Sequence, residues 1–196
     1  DGDVSRVELG FDERPLVLCM GGSLGARAIN EAVIDAVADG RKDKYNYLIS
    51  TGQYGLWVPD KMREKGVDPE AEENIDVRTY IEDMDRCLSA ADLVICRAGA
   101  SSLSEFEALG KPSILVPSPN VTENHQFHNA MTLKKAGAAE LIEEKELSGK
   151  SLAQKVNELL QNPTLLERMG ESARKSAIID ANERIYQALM QLYTKA

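Results

Sequence analysis

The residues of this sequence best suited to chemistry are gathered in three turns. The first, Gly21-Gly22-Ser23-Leu24-Gly25-Ala26-Arg27, follows an apolar run and precedes a helical pattern. Glycines there let a ligand approach the backbone, and the start of the helix offers unpaired N–H groups and the positive end of a dipole to a phosphate. Taken alone, the same residues serve equally well as a ligand-free strand-to-helix turn. The second turn, Cys96-Arg97-Ala98-Gly99-Ala100-Ser101-Ser102-Leu103-Ser104-Glu105, again joins a strand to a helix through small residues and makes a second candidate phosphate cradle. Glu105 falls about one helical turn beyond it, where a carboxylate can accept both hydroxyls of a ribose whose phosphates meet the helix end. A solvated helix glutamate is the plainer reading.

The third turn runs from Pro117 to Asn129, and its two prolines keep the chain extended until a helix begins. Gln126 and Asn129 stand three apart, and amides donate and accept hydrogen bonds as sugar hydroxyls require. His125 and His128 share that spacing, but no nearby Cys completes a zinc set. Asp83-Met84-Asp85 spells an Asp-x-Asp, yet it opens a short helical segment, where N-capping by Asp83 is the expected use. No metal site is assigned. A dinucleotide fold would carry an acid near the end of its second strand, whereas this sequence reads Ile49-Ser50-Thr51-Gly52-Gln53, which weighs against NAD.

Turns placed this way need strands behind them and helices ahead. Pro15–Met20 is a continuous apolar run, and Ala26–Ala38 carries Ile29, Val33 and Val37 at helical spacing. Further strands are expected at Tyr45–Ile49, Ile75–Thr79, Leu93–Cys96, Ser113–Val116 and Ala138–Ile142. Short buried strands alternating with helices imply an α/β domain with a doubly wound, Rossmann-like parallel sheet of about six strands. After Ser148 only helical patterns follow, at Ser151–Leu160, Pro163–Ile178 and Asn182–Tyr193, and Gly66–Asn74 is the most loop-like stretch. In the last helix Ile185, Leu189 and Leu192 form an apolar stripe that would ordinarily pack on its own domain.

Bulk properties narrow the function further. At 196 residues and 43% hydrophobic content the chain can close one core, so one domain over 1–196 is expected. Lys and Arg number 23 against 32 Asp and Glu, and the net charge of −9 disfavours nucleic acid as a partner. No apolar run approaches the roughly 20 residues of a membrane span, and the N-terminus shows no secretory pattern, so a cytoplasmic protein is expected. Cys19, Cys87 and Cys96 form no Cys-x-x-Cys pair and read as inert core thiols.

In order along the chain stand GGSLGARAIN, TYIEDM, CRAGASSLSEFEALGKPSILVPSP, ENHQFHNA and KKAGAAELI. This set, covering essentially the whole chain, resembles the C-terminal domain of the glycosyltransferase family 28 enzymes that transfer N-acetylglucosamine in peptidoglycan synthesis. The resemblance implies a GT-B arrangement of two Rossmann-like domains, the N-terminal one holding a lipid-linked acceptor and the C-terminal one holding UDP-N-acetylglucosamine, with no cofactor. Carried over residue by residue, it implies that the backbone around Tyr80 and Ile81 reads uracil and that Glu105 binds the ribose. Ser23 and the turn Ala100, Ser101, Ser102 would meet the diphosphate, and His125, Gln126 and Asn129 the amino sugar. Arg6 is matched to an arginine of the interdomain segment that reaches the nucleotide, although Asp1–Ser5 departs from the family pattern.

The implied reaction is inverting: a muramyl 4-hydroxyl of lipid I attacks the anomeric carbon, a β-1,4 link forms and UDP leaves, at the cytoplasmic face of the bacterial inner membrane. No residue stands out as the general base. The length suggests an excised domain or one half of a split enzyme, with the acceptor domain absent and the chain alone inactive in transfer. Two other readings are a donor-binding subunit of a different split UDP-sugar transferase and a non-catalytic nucleotide sensor.

Overall fold

A computed structural model describes residues 6–39 and 44–193. Among them, six short runs rich in Val, Ile and Leu form strands β1 (Leu16–Met20), β2 (Asn46–Ser50), β3 (Ile75–Arg78), β4 (Leu93–Cys96), β5 (Ser113–Leu115) and β6 (Ala139–Leu141). All neighbouring pairs are parallel and the order across the sheet is β3-β2-β1-β4-β5-β6. In register, Leu18 stands between Leu48 and Val94.

Strand side chains alternate between faces, and here both faces are apolar. Val17, Cys19, Ile49 and Ile95 pack on one side with helices α1 (Arg27–Ala38) and α6 (Gly149–Leu160), through Ile29, Val33, Leu152 and Val156. Leu16, Leu18, Leu48 and Val94 pack on the other with α3 (Met84–Ala90), α4 (Ala100–Leu109) and α5 (His125–Lys135), through Leu88, Phe106 and Leu133. The short α2 (Val58–Glu64) follows β2, and α7 (Pro163–Ser176) packs against α4. Full burial of about a dozen large side chains, each contributing roughly 1.5–3 kcal/mol relative to exposure, makes this two-sided core the main source of stability. The three cysteines are free and buried; burial pushes the Cys19 and Cys96 thiols up, and that of Cys87 to about 11, so all three stay protonated.

All six expected strands form, with ends shifted by a residue or so. Helix α6 begins before the expected Ser151, because Ser148 caps it. Its hydroxyl accepts the Ser151 N–H at 3.1 Å while the Ser151 hydroxyl accepts the Ser148 N–H at 2.9 Å. The last helix, α8 (Ala181–Tyr193), departs from expectation: Ile185, Leu189 and Leu192 are 59%, 60% and 68% exposed, so the stripe is largely open to solvent among the described residues.

Candidate functional site

The strand order reverses between β1 and β4, and the turns leaving these strands diverge to opposite faces, opening a crevice beyond the carboxyl ends of the sheet. On one wall the β1 turn lies directly on the β2 turn. The Gln53 N–H donates to the Ser23 carbonyl and the Tyr54 N–H to the Leu24 carbonyl, both at 3.0 Å. Gly25 and Gly52 have φ of 88° and 75°, and a Cβ on either would fall within 2.2 Å of the other turn's backbone. Glycine is therefore required there by backbone contact, whatever binds above. Ser23, projecting from this turn, is exposed.

The opposite wall is the start of α4. Gly99 at the N-cap supplies no side-chain acceptor, and the first helical bond runs from the Leu103 N–H to the Gly99 carbonyl. The N–H groups of Ala100, Ser101 and Ser102 thus have no helical acceptor and stand at the positive end of the dipole. The start of α1 likewise has no side-chain cap.

Between these walls lies a cleft of about 550 Å³, within the usual range for a small-molecule site. It gathers Ser23, Tyr80, Ile81, Ser102 and Glu105 over an apolar floor that includes Met20, Met84 and Leu88. Ile81 is buried and Tyr80 exposed. Among the described residues no hydrogen bond reaches the backbone N–H or C=O of either one, so the donors and acceptors of this segment are free to meet a ligand. Glu105 is exposed and has no hydrogen bond or ion pair among the described residues.

Of the remaining expected residues, Ala100 and Ser101 belong to the same helix start as Ser102. His125, Gln126 and Asn129 lie apart from the cleft lining, beside a second hollow of about 460 Å³ bounded by Pro117, Pro119 and Phe127. Part of each amide is already engaged: Gln126 Oε1 accepts the Ser118 N–H at 2.9 Å, and Asn129 Nδ2 donates to the Ala98 carbonyl at 3.2 Å. The second bond ties the third turn to the second, just ahead of α4. Gln126 Nε2 and Asn129 Oδ1 remain as a donor and an acceptor with no partner among the described residues. His125 Nδ1 lies 3.0 Å from the Thr122 carbonyl on the exposed side. Arg6 is at the other end of the strands: its guanidinium lies 3.1 Å from Asp92, ahead of β4.

Two features escape a reading of the sequence. Asp83 occupies the N-cap position of α3, but its side chain makes no capping bond. Its carboxylate accepts from Arg78 Nη1 at 3.1 Å and from the Cys87 thiol at 3.6 Å. Arg97 donates to the carbonyls of Val116 and Pro117 at 3.2 Å and pairs with Glu144 at 2.5 Å, locking the ends of β4 and β5 to the segment after β6. Neither partnership has a local spacing that announces it. Among the described residues, no group of three or more His, Cys, Asp or Glu is placed to hold a metal ion.

A doubly wound sheet with an open cleft at its switch point, two uncapped helix starts and a free carboxylate one turn along defines a Rossmann-type α/β domain with a candidate ligand site at its switch point. Comparison with known proteins narrows this class. Residues 16–185 match the model of the glycosyltransferase family 28 C-terminal domain. Over 182 residues the chain is 43% identical to the UDP-N-acetylglucosamine–N-acetylmuramyl-(pentapeptide) pyrophosphoryl-undecaprenol N-acetylglucosamine transferase of Leuconostoc citreum, covering 92% of this chain and 48% of that protein. It is 41% identical over 188 residues to the enzyme of that name from Thermoanaerobacter sp., covering 94% and 50%. The crystal structure of Acinetobacter baumannii MurG superposes with a TM-score of 0.79 at 31% identity, over 95% of this chain and 53% of that one. A UDP-GlcNAc 2-epimerase from Neisseria meningitidis, at 14% identity and a TM-score of 0.66 over 96% of this chain and 48% of its own, shares the fold alone. The chain belongs to glycosyltransferase family 28, as its C-terminal domain, and spans about half the length of the curated relatives it matches.

Proposed function

We propose that the chain is the donor-binding half of an inverting N-acetylglucosaminyltransferase, holding UDP-N-acetylglucosamine in the switch-point cleft. The observation that carries this reading is the convergence of Ser23, Tyr80, Ile81, Ser102 and Glu105 on one cleft, with the free N–H groups of α4 at its wall. In this reading the backbone of Tyr80 and Ile81 meets the uracil edge and Glu105 accepts both ribose hydroxyls. Ser23 and the N–H groups of Ala100, Ser101 and Ser102 take the diphosphate. The amino sugar extends toward His125, Gln126 and Asn129, and the bond between Asn129 and Ala98 sets the distance between the sugar and phosphate subsites.

Chemically, the domain binds and orients the donor and stabilises the leaving group. When the muramyl 4-hydroxyl of lipid I attacks the anomeric carbon, the bond from that carbon to the diphosphate oxygen breaks with inversion, and negative charge grows on UDP. Fixed N–H dipoles aimed at that charge lower the barrier without reorganising. The general base and the lipid-binding surface belong, in this account, to an acceptor domain, and the exposed stripe of α8 supports a contact with it. No helix among the described residues is long and apolar enough to cross a membrane. We place the complete enzyme at the cytoplasmic face of the inner membrane as a peripheral protein.

Calorimetric titration tests the donor assignment. UDP-N-acetylglucosamine and UDP are expected to bind at one site per chain, with ADP-sugars and NAD much weaker. Equal affinity for uridine and adenosine diphosphates would overturn the uracil assignment.

A further inference from the structure

We infer that Arg78 is a positioning residue that sets the base selectivity of the cleft, by clasping the loop that carries Tyr80 and Ile81. This inference rests on the uridine reading proposed above. Strand β3 ends at Arg78, and residues 79–83 then cross the mouth of the cleft to reach α3. The near end of the loop is pinned to the turn after β2: the Thr51 N–H donates to the Arg78 carbonyl at 2.9 Å and the Gly52 N–H to the Thr79 carbonyl at 3.0 Å. Its middle is anchored by the buried Ile81 side chain. At its far end, Arg78 Nη1 reaches across to Asp83 at 3.1 Å, while Nε and Nη2 hold Asp76 Oδ2 at 2.9 and 2.7 Å. The guanidinium thus lies between a strand carboxylate and a helix-start carboxylate and closes residues 79–82 into a ring. Its side chain is 28% exposed and that of Asp83 40%, so water weakens the clasp but leaves its geometry directional.

The consequence follows from what a backbone segment can read. Uracil presents an N–H donor flanked by carbonyl acceptors, whereas adenine presents a ring acceptor beside an amino donor. One peptide N–H and one C=O held in fixed order match the first pattern and oppose the second. Because the backbone of Tyr80 and Ile81 has no partner of its own within the described residues, only the pinned ends, the Ile81 anchor and the clasp keep that order. Releasing the far end lets the peptide planes rotate, which costs the uracil contacts and leaves the phosphate subsites on α4 untouched.

The test measures affinities of the parent chain, Arg78→Met, Arg78→Lys and Asp83→Ala for UDP, ADP and inorganic pyrophosphate. In Arg78→Met, UDP affinity is expected to fall roughly tenfold, the worth of about one hydrogen bond at a reading edge, with ADP and pyrophosphate unchanged. Lysine is expected to restore part of the UDP preference, because it keeps the charge without the fork. Asp83→Ala, which removes the loop-side acceptor and leaves Asp76 in place, should narrow the ratio in the same direction, and it remains informative if the methionine variant fails to fold. Equal losses for all three ligands, or an unchanged ratio of UDP to ADP affinity, would overturn the inference while leaving the donor reading intact. A parent chain with no preference for UDP over ADP would instead overturn the uridine reading and this inference with it.

Discussion

Replacing Glu105 by alanine removes a carboxylate that does nothing for the fold. It is exposed at the lip of the cleft and has no hydrogen bond or ion pair among the described residues. Its loss therefore should change the unfolding free energy by no more than about 0.5 kcal/mol, and the melting temperature by no more than about 2 °C. Binding should respond differently. Hydrogen bonds to a charged group contribute about 1.5–3 kcal/mol, and water competes for an exposed carboxylate, so the lower half of that range applies. About 1.5–2 kcal/mol corresponds to a roughly 10- to 30-fold rise in the Kd for UDP. Calorimetry with UDP and 2′-deoxy-UDP on parent and variant isolates the contact. The parent should bind the deoxy ligand more weakly, and the variant should discriminate far less. A deoxy penalty as large in Glu105→Ala as in the parent would show that the ribose is recognised elsewhere.

Three further outcomes follow from the geometry. UDP binding should persist in excess EDTA, because helix starts supply the phosphate contacts; an absolute requirement for magnesium or manganese would return attention to Asp83 and Asp85. Arg97→Met should lower the unfolding free energy by about 2–3 kcal/mol in denaturant titrations, since it strands the largely buried Glu144 carboxylate and two carbonyls; a loss under about 0.5 kcal/mol would contradict that role. Hydrogen bonds from the Arg14 side chain and backbone hold the Asp12 carboxyl well below the usual carboxylate range. A depressed folded value means that its stabilisation is complete above the unfolded value of about 4 and is lost as pH falls through the folded one. The stability of Asp12→Asn should accordingly fall less steeply below pH 4 than that of the parent, and parallel acid limbs would refute the assignment.

The strands were legible because a parallel sheet buried on both faces demands continuous apolar runs, and Leu16–Met20 and Leu93–Cys96 have few other uses in a polar chain. The position of the cleft was legible for the same reason, since glycine and serine turns after strands mark the carboxyl edge of such a sheet. Long-range side-chain partners were not legible. Arg6, matched through the family resemblance to an arginine that reaches the nucleotide, meets Asp92, 86 residues away, ahead of β4 at the other end of the strands. Asp83 has the local signature of a cap, but a guanidinium five residues back competes for the carboxylate and holds it. The spacing of Gln126 and Asn129 suits a sugar but does not reveal that half of each amide satisfies the backbone of a neighbouring turn. Gly25 and Gly52 carry the same lesson in reverse. Gly25 belongs to a turn suited to phosphate, yet it and Gly52 are explained first by the contact of two turns.

The central claim, that this domain holds the donor and contributes one half of a transferase, is tested most directly by transfer itself. The chain is incubated with labelled UDP-N-acetylglucosamine and a soluble lipid I analogue, with and without an added family 28 N-terminal domain. Holding the acceptor hydroxyl in line with the anomeric carbon supplies several kcal/mol of barrier lowering, about 7–11 kcal/mol in the best-oriented reactions, and a domain that holds only the donor lacks it. Donor binding without turnover is expected of the chain alone, and turnover once the acceptor domain is supplied. Transfer by the chain alone at the rate of a two-domain relative would contradict it.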